Sequence, residues 1–127
     1  MTIQAVLDEL HDQIADCRLT AFGDVSAGLI LRHSARENIP REVLDRIADA
    51  ARCGFEIYDA LELAPEDRTD HPVQTIVSFT PDQTLVLARS GDALSDLTCA
   101  ALSSSHVASK AADTVQKAAA TIGDADR

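Results

Sequence analysis

Residues 40–61, PREVLDRIADAARCGFEIYDAL, form the central helical pattern of this 127-residue chain and decide its fold. At about 100° per residue, the apolar side chains spread over roughly 180° of the helix surface. They are Val43, Leu44, Ile47, Ala48, Ala50, Ala51, Phe55, Ile57, Tyr58 and Leu61, with Gly54 on the same side. Packing against one sheet rarely needs so wide an apolar surface. The pattern therefore predicts that this helix contacts a second surface, on its own chain or on a partner subunit.

The residues before this helix predict one more helix and a β-hairpin. Residues 2–15 carry apolar side chains at helical spacing. Residues 17–33 instead alternate apolar side chains at every second position, with Gly23-Asp24 between the two halves. Because glycine accepts a positive φ at the first central position, we predict a two-residue type II′ turn at Gly23-Asp24.

The residues after the central helix predict three strands and a last helix. A polar linker of residues 65–72 comes first. The strand patterns lie in residues 73–80, 84–89 and 97–102, with turns at residues 81–83 and 90–92. The last helix, residues 106–122, is rich in alanine, and Gly123 is expected to end it as a C-cap.

The predicted order is therefore α-β-β-α-β-β-β-α. Short hairpins join most of the strands, which favours a five-stranded, mainly antiparallel sheet with helices packed against it, an α+β fold. A length of 127 residues suits a single domain covering residues 1–127.

The first hairpin, LTAFGDVSAGLIL at residues 19–31, and the paired segments 73–80 and 84–89 resemble the roadblock/dynein light chain family. This family is related to the longin and profilin-like folds. The resemblance implies a roadblock/longin-like α/β sandwich. It also implies a non-enzymatic homodimer that docks a small GTPase, a motor or a scaffold protein.

Family members typically pair through the central helix and the strand that follows it, so that the sheet extends across two subunits. Carried onto this chain, the resemblance places the pairing surface on nine residues. They are Val43, Ile47, Ala50, Gly54, Ile57, Leu61, Val73, Thr75 and Val77. The wide apolar surface of the central helix points the same way. The alternative is that the chain's own loops cover one flank of this helix.

Composition excludes several classes of partner. The chain has 11 basic and 21 acidic residues, for a net charge of −10. Nucleic acids and anionic membranes need clustered Lys and Arg, so neither is expected as a direct partner. The chain also has only three Phe, one Tyr and no Trp, which argues against stacking on unpaired bases. The acidic side chains lie on outward helix faces, where they could steer a basic partner.

No motif predicts catalysis, a metal or a cofactor. The four histidines are scattered, and the three cysteines have no CxxC spacing. Cys17 and Cys99 are interpreted as small core residues and Cys53 as an exposed thiol. Gly23 and Gly28 are not followed by the Lys-Ser or Lys-Thr of a phosphate-binding loop. We therefore expect a protein that is not an enzyme.

One further class stays open. A small PAS- or GAF-type sensor domain would share much of this pattern, and it would need an enclosed cavity for a ligand. The alanine-rich last helix favours close packing over a cavity. The chain shows no signal-peptide pattern and no apolar stretch that could span a bilayer, so a cytoplasmic location is expected.

Overall fold

The computed structural model describes residues 2–61, 73–89, 95–105 and 107–125. The predicted linker at residues 65–72, the turn at residues 90–92 and His106 lie outside the described residues. Eight elements follow in the predicted order. They are α1 (Ile3–Gln13), β1 (Cys17–Asp24), β2 (Leu29–Ala35), α2 (Arg41–Ala60), β3 (Gln74–Phe79), β4 (Thr84–Arg89), β5 (Asp96–Leu102) and α3 (Ala108–Ala125).

The five strands form one sheet in the order β2-β1-β5-β4-β3. Every neighbouring pair is antiparallel. The prediction of an α+β fold with a five-stranded antiparallel sheet is therefore confirmed. In this order β2 and β3 form the two edges of the sheet, and β5 lies at its centre.

Helices cover both faces of the sheet. The alternation of β4 shows this arrangement, because Leu85 and Leu87 pack in one apolar cluster with α2, whereas Val86 and Ala88 pack in the other with α1 and α3. All six residues of β4 are buried, but residues 75–78 of the edge strand β3 are only half-buried. The helices thus cover the middle of the sheet and leave β3 partly open.

The starts of α1 and α2 follow from their sequences. The Thr2 hydroxyl accepts a hydrogen bond from the Ala5 backbone N–H at 3.1 Å, which caps α1. Pro40 occupies the N-cap position of α2, where its missing N–H leaves no helical hydrogen bond unmade. The helix at residues 106–122 was predicted to end at Gly123, but α3 runs through Gly123 to Ala125.

The prediction of a turn at Gly23-Asp24 was wrong. Both residues belong to β1, and the chain turns at residues 25–28, where Gly28 has a φ of +67°. The Asp24 carboxylate organises this turn by accepting hydrogen bonds from the Ser26 hydroxyl at 2.7 Å and the Ala27 N–H at 3.1 Å. These two bonds lower the pKa of Asp24. Gly23 serves a different purpose, since a Cβ there would collide with the Leu29 carbonyl oxygen.

Candidate self-association surface

The wide apolar surface of α2 divides into two parts. One part faces the sheet, where Leu44, Ile47 and Phe55 are each no more than 3% exposed. The other part is a row on the flank of the helix at positions 50, 54, 57 and 61, which we call the flank row. Its spacing of i, i+4, i+7 and i+11 places these four residues on one line along the helix. The apolar excess predicted from the sequence is therefore located on a surface of its own.

The flank row is accessible to solvent in the single chain. Ile57 is 60% exposed and Leu61 is 63% exposed, whereas Ala50 and Gly54 are half-buried. Large aliphatic side chains with this exposure, aligned on one helix, form a contiguous apolar patch. Patches of this kind are typical of protein–protein contacts.

Gly54 connects the flank row to the edge of the sheet. A Cβ at position 54 would lie 3.4 Å from Ile76 Cδ1, an ordinary van der Waals distance, so Ile76 of β3 lies directly beside the helix at this position. Ile76 is half-buried and contacts the α2-facing cluster. The apolar surface of α2 thus continues onto the edge strand β3.

The structure divides the nine predicted residues among four places. Ala50, Gly54, Ile57 and Leu61 form the flank row, and Val43 packs half-buried beside the core. Ile47 is 1% exposed and belongs to the core itself. The other three residues, Val73 just before β3 and Thr75 and Val77 within it, lie toward the opposite face of the sheet. Val73 and Val77 contact the α3-facing cluster, and the Thr75 hydroxyl accepts a hydrogen bond from Gln116 Nε2 at 2.8 Å.

Sequence reasoning missed the β3 residues that face α2, which are Gln74 and Ile76. The alternation of β3 separates two sets of side chains but does not tell which set lies under which helix, because helices cover both faces of this sheet. On the face of β3 that carries Gln74 and Ser78, Ile76 is the one aliphatic residue, and this was the available signal. Phe79, at the end of β3 and 66% exposed, was also missed.

A buried arginine fixes the C-terminal half of α2 to the sheet. Arg89 of β4 is 3% exposed, and its Nε donates to Gln74 Oε1 at 2.6 Å. Its Nη2 donates to the Asp59 carboxylate of α2. The guanidinium also lies over the Phe55 ring, 4.4 Å from the ring centroid. One side chain thereby joins β3, β4 and α2 at the place where the flank row meets the sheet edge.

This geometry was compared with known proteins. No family model matches the chain, and no curated protein matches it by sequence. Solved structures do match. A structure described as MglB with a tetrameric arrangement has a TM-score of 0.73 at 19% identity, over 96% of this chain and 85% of that one. A Roadblock/LC7 domain from Streptomyces avermitilis has a TM-score of 0.68 at 10% identity, over 95% of this chain and 94% of that one.

The fold is that of a Roadblock/LC7 domain. The expectation drawn from the sequence resemblance is thus confirmed at the level of the fold. MglC from Myxococcus xanthus is also similar, with a TM-score of 0.61 at 10% identity, over 96% of this chain and 97% of that one. Since these structures are under 25% identical to the chain, their likeness carries no functional residue with it.

The three cysteines of this Roadblock/LC7 fold differ in burial. Burial raises the pKa of the Cys99 thiol to about 12 and that of Cys17 to about 11, so both are protonated at neutral pH. Cys53 is exposed on α2, as predicted. Within the described ranges, no group of three or more His, Cys, Asp or Glu side chains is placed to hold a metal ion. In the same ranges, no helix is long and apolar enough to cross a membrane.

Replacing Arg89 with methionine should destabilise the Roadblock/LC7 fold by about 2–3 kcal/mol, because it leaves the buried Gln74 amide without its partner. Arg89→Lys keeps the charge but loses the planar guanidinium, so its stability should fall between those of the native chain and Arg89→Met. Urea unfolding followed by circular dichroism measures the difference. The matched control is Arg52→Met on the exposed face of α2, where a solvated pair with Asp49 should cost under about 1 kcal/mol. Equal losses for Arg89→Met and Arg52→Met would contradict the anchoring role.

Proposed function

We propose that the chain is a non-enzymatic homodimeric adaptor that docks a small GTPase. The observation that carries this proposal is the flank row of α2 beside the half-buried edge strand β3. An apolar row beside a strand edge that no described strand covers offers both side-chain contacts and main-chain hydrogen bonds to one partner. A second copy of the chain satisfies both demands at once, because it presents the same two features.

Symmetry supports a pairing of β3 with β3 of the second copy. A two-fold axis places identical surfaces against each other and therefore aligns two edge strands in an antiparallel manner. The two sheets would then continue into one, and the N–H and C=O groups of β3 that have no partner among the described residues would form hydrogen bonds. The two flank rows would meet over the same axis. Ile57, Leu61 and Phe79 would lose solvent exposure in this arrangement.

Charge supports a basic partner for the dimer. The outward face of α2 carries a row of exposed carboxylates, and the chain as a whole has a net charge of −10. The exposed carboxylates of α2 are those of Glu42, Asp45, Asp49, Glu56 and Asp59. Such a field accelerates association with a positively charged surface and weakens as salt rises. That the partner is a small GTPase rests on the resemblance to the roadblock family.

Packing favours the adaptor over a ligand sensor. Between α2 and the sheet, the described residues form a continuous buried cluster that includes Leu44, Phe55 and Leu87. On the other face, buried alanines of α3 such as Ala111 and Ala119 let the helix pack tightly on the sheet. A small-molecule sensor needs space where these side chains lie.

Direct binding tests the GTPase assignment. Purified Ras-like GTPases, loaded with GDP or a non-hydrolysable GTP analogue, are titrated with the chain in a fluorescence anisotropy assay. We expect at least one GTPase to bind, with Glu56→Lys on α2 weakening the affinity on the order of tenfold. The matched control is Asp113→Lys, an exposed carboxylate of α3 on the other face of the sheet, which should bind as the native chain does. If no GTPase in the panel binds, the proposal that the chain docks a small GTPase is contradicted. The proposed dimer is tested separately by sedimentation.

A further inference from the structure

The second edge of the sheet, strand β2, presents an apolar surface of its own. Leu29 is 43% exposed and Leu31 is 59% exposed. An exposed apolar edge strand is a template for pairing with another chain. If β2 were open as β3 is, a chain that pairs through both edges would grow into an open fibre instead of a closed dimer.

Two side chains outside the sheet donate hydrogen bonds to main-chain carbonyl groups of β2. Arg41 Nη1 donates to the Ile30 carbonyl oxygen at 3.2 Å, and Gln4 Nε2 donates to the His33 carbonyl oxygen at 3.1 Å. Arg41 is the first residue of α2, and Gln4 belongs to α1. Since α1 and α2 lie on opposite faces of the sheet, the β2 edge is contacted from both sides.

Each donor is held in place by a carboxylate one helical turn later. Gln4 Nε2 also donates to Asp8 Oδ1 at 3.1 Å, and Arg41 Nε pairs with Asp45 Oδ1 at 3.3 Å. A hydrogen bond from the Ser34 hydroxyl of β2, together with the one from Gln4, lowers the pKa of Asp8. Both contacts therefore repeat one arrangement, in which a donor at position i reaches β2 and an acid at i+4 orients it.

The strand itself is irregular at the same place. In the β1–β2 ladder, Phe22 faces Arg32 but Gly23 faces Ile30, so Leu31 has no partner on β1. Such a bulge twists the edge and interrupts the regular spacing that an added strand needs. By contrast, β3 pairs with β4 without a register shift, and in the described part of the chain no side chain hydrogen-bonds to the β3 main chain.

We propose that Gln4 and Arg41 close the β2 edge to strand addition and so restrict sheet-to-sheet assembly to β3. The occupant that they exclude is a strand from a second copy of this chain. The closed dimer they would protect rests on the proposed function, whereas the closure of β2 does not. Gln4 and Arg41 thereby determine which edge of the sheet associates.

The test removes both donors in Gln4→Ala/Arg41→Ala and measures particle mass by light scattering after size-exclusion chromatography. We expect the average mass to at least double relative to the native chain at the same concentration. Adding Leu31→Lys, which places a charge on the opened edge, should restore the native mass. Gln4→Met/Arg41→Met removes the donors but keeps the side-chain volume, and it should also increase the mass.

The chain offers a closely matched control, Gln13→Ala/Arg52→Ala. Gln13 and Arg52 also lie on α1 and α2 and pair with an acid on the same helix, but neither bonds to β2. This control should keep the native mass. A native mass for both donor-removed variants would overturn the proposal, and so would loss of the native circular dichroism in both, because the contacts would then act only on stability. A native monomer whose variant associates would contradict the β3 dimer and uphold the closure of β2.

Discussion

Replacing Ile57 with aspartate is expected to convert the proposed dimer into a folded monomer. Ile57 is 60% exposed in the single chain, so a carboxylate at this position stays in contact with water and costs the fold little. In the dimer, the two-fold axis would bring two such carboxylates into an apolar contact, where they would lose solvent and repel each other. We expect the dimer Kd to rise at least about 100-fold, which corresponds to about 2.8 kcal/mol. Sedimentation equilibrium measures this change.

Leu31 provides the control for that experiment. It is an aliphatic side chain with 59% exposure, almost equal to that of Ile57, but it lies on β2 at the other edge of the sheet. Leu31→Asp should therefore leave the dimer Kd within about threefold of the native value, because it lies outside the pairing surface. If both variants dissociate equally, or if neither does, the flank row is not the contact surface.

Replacing Ile47 with aspartate is expected to unfold the chain. Ile47 is 1% exposed and packs in the cluster that includes Leu44, Ala51 and Phe55. A carboxylate there has no partner and no water, so we expect a loss of more than about 4 kcal/mol, a large share of the stability of a typical domain. Urea unfolding followed by circular dichroism, at a concentration low enough to hold the chain as a monomer, measures this loss.

Ile47→Val is the matched change for this position. It removes one methylene group from the same site and should cost about 0.5–1.5 kcal/mol without changing the fold. A folded Ile47→Asp monomer with native circular dichroism would mean that Ile47 lies at a subunit surface. That result would contradict the position of Ile47 in the core and would support the prediction that Ile47 belongs to the pairing surface.

Most of the fold could be predicted from the periodic spacing of apolar residues. The apolar surface of α2 was predicted from spacing alone. The turn signals around residues 84–89 and the alternation in residues 97–102 correctly identified two strands. These predictions hold because burial on a helix or a sheet imposes a period on the sequence. The excess width of the α2 surface likewise indicated a second apolar surface, which the structure locates at the flank row.

Features that depend on contacts between distant elements could not be predicted in this way. Gly23 was assigned to the turn, although its place in β1 depends on the close approach of the Leu29 carbonyl oxygen from β2. The role of Arg89 depends on Gln74 and Asp59, which are far from it in sequence. The face of β3 that lies under α2 is decided by the order of strands in the sheet. Local spacing records none of these relationships.

The central claim is that two copies pair through the flank row of α2 and the β3 edge. Sedimentation velocity on the native chain, from low to high micromolar concentration, tests it most directly. We predict a particle of two 13.6 kDa chains that Ile57→Asp, but not Leu31→Asp, reduces to one. A native chain that sediments as a single 13.6 kDa particle at every concentration would contradict the claim.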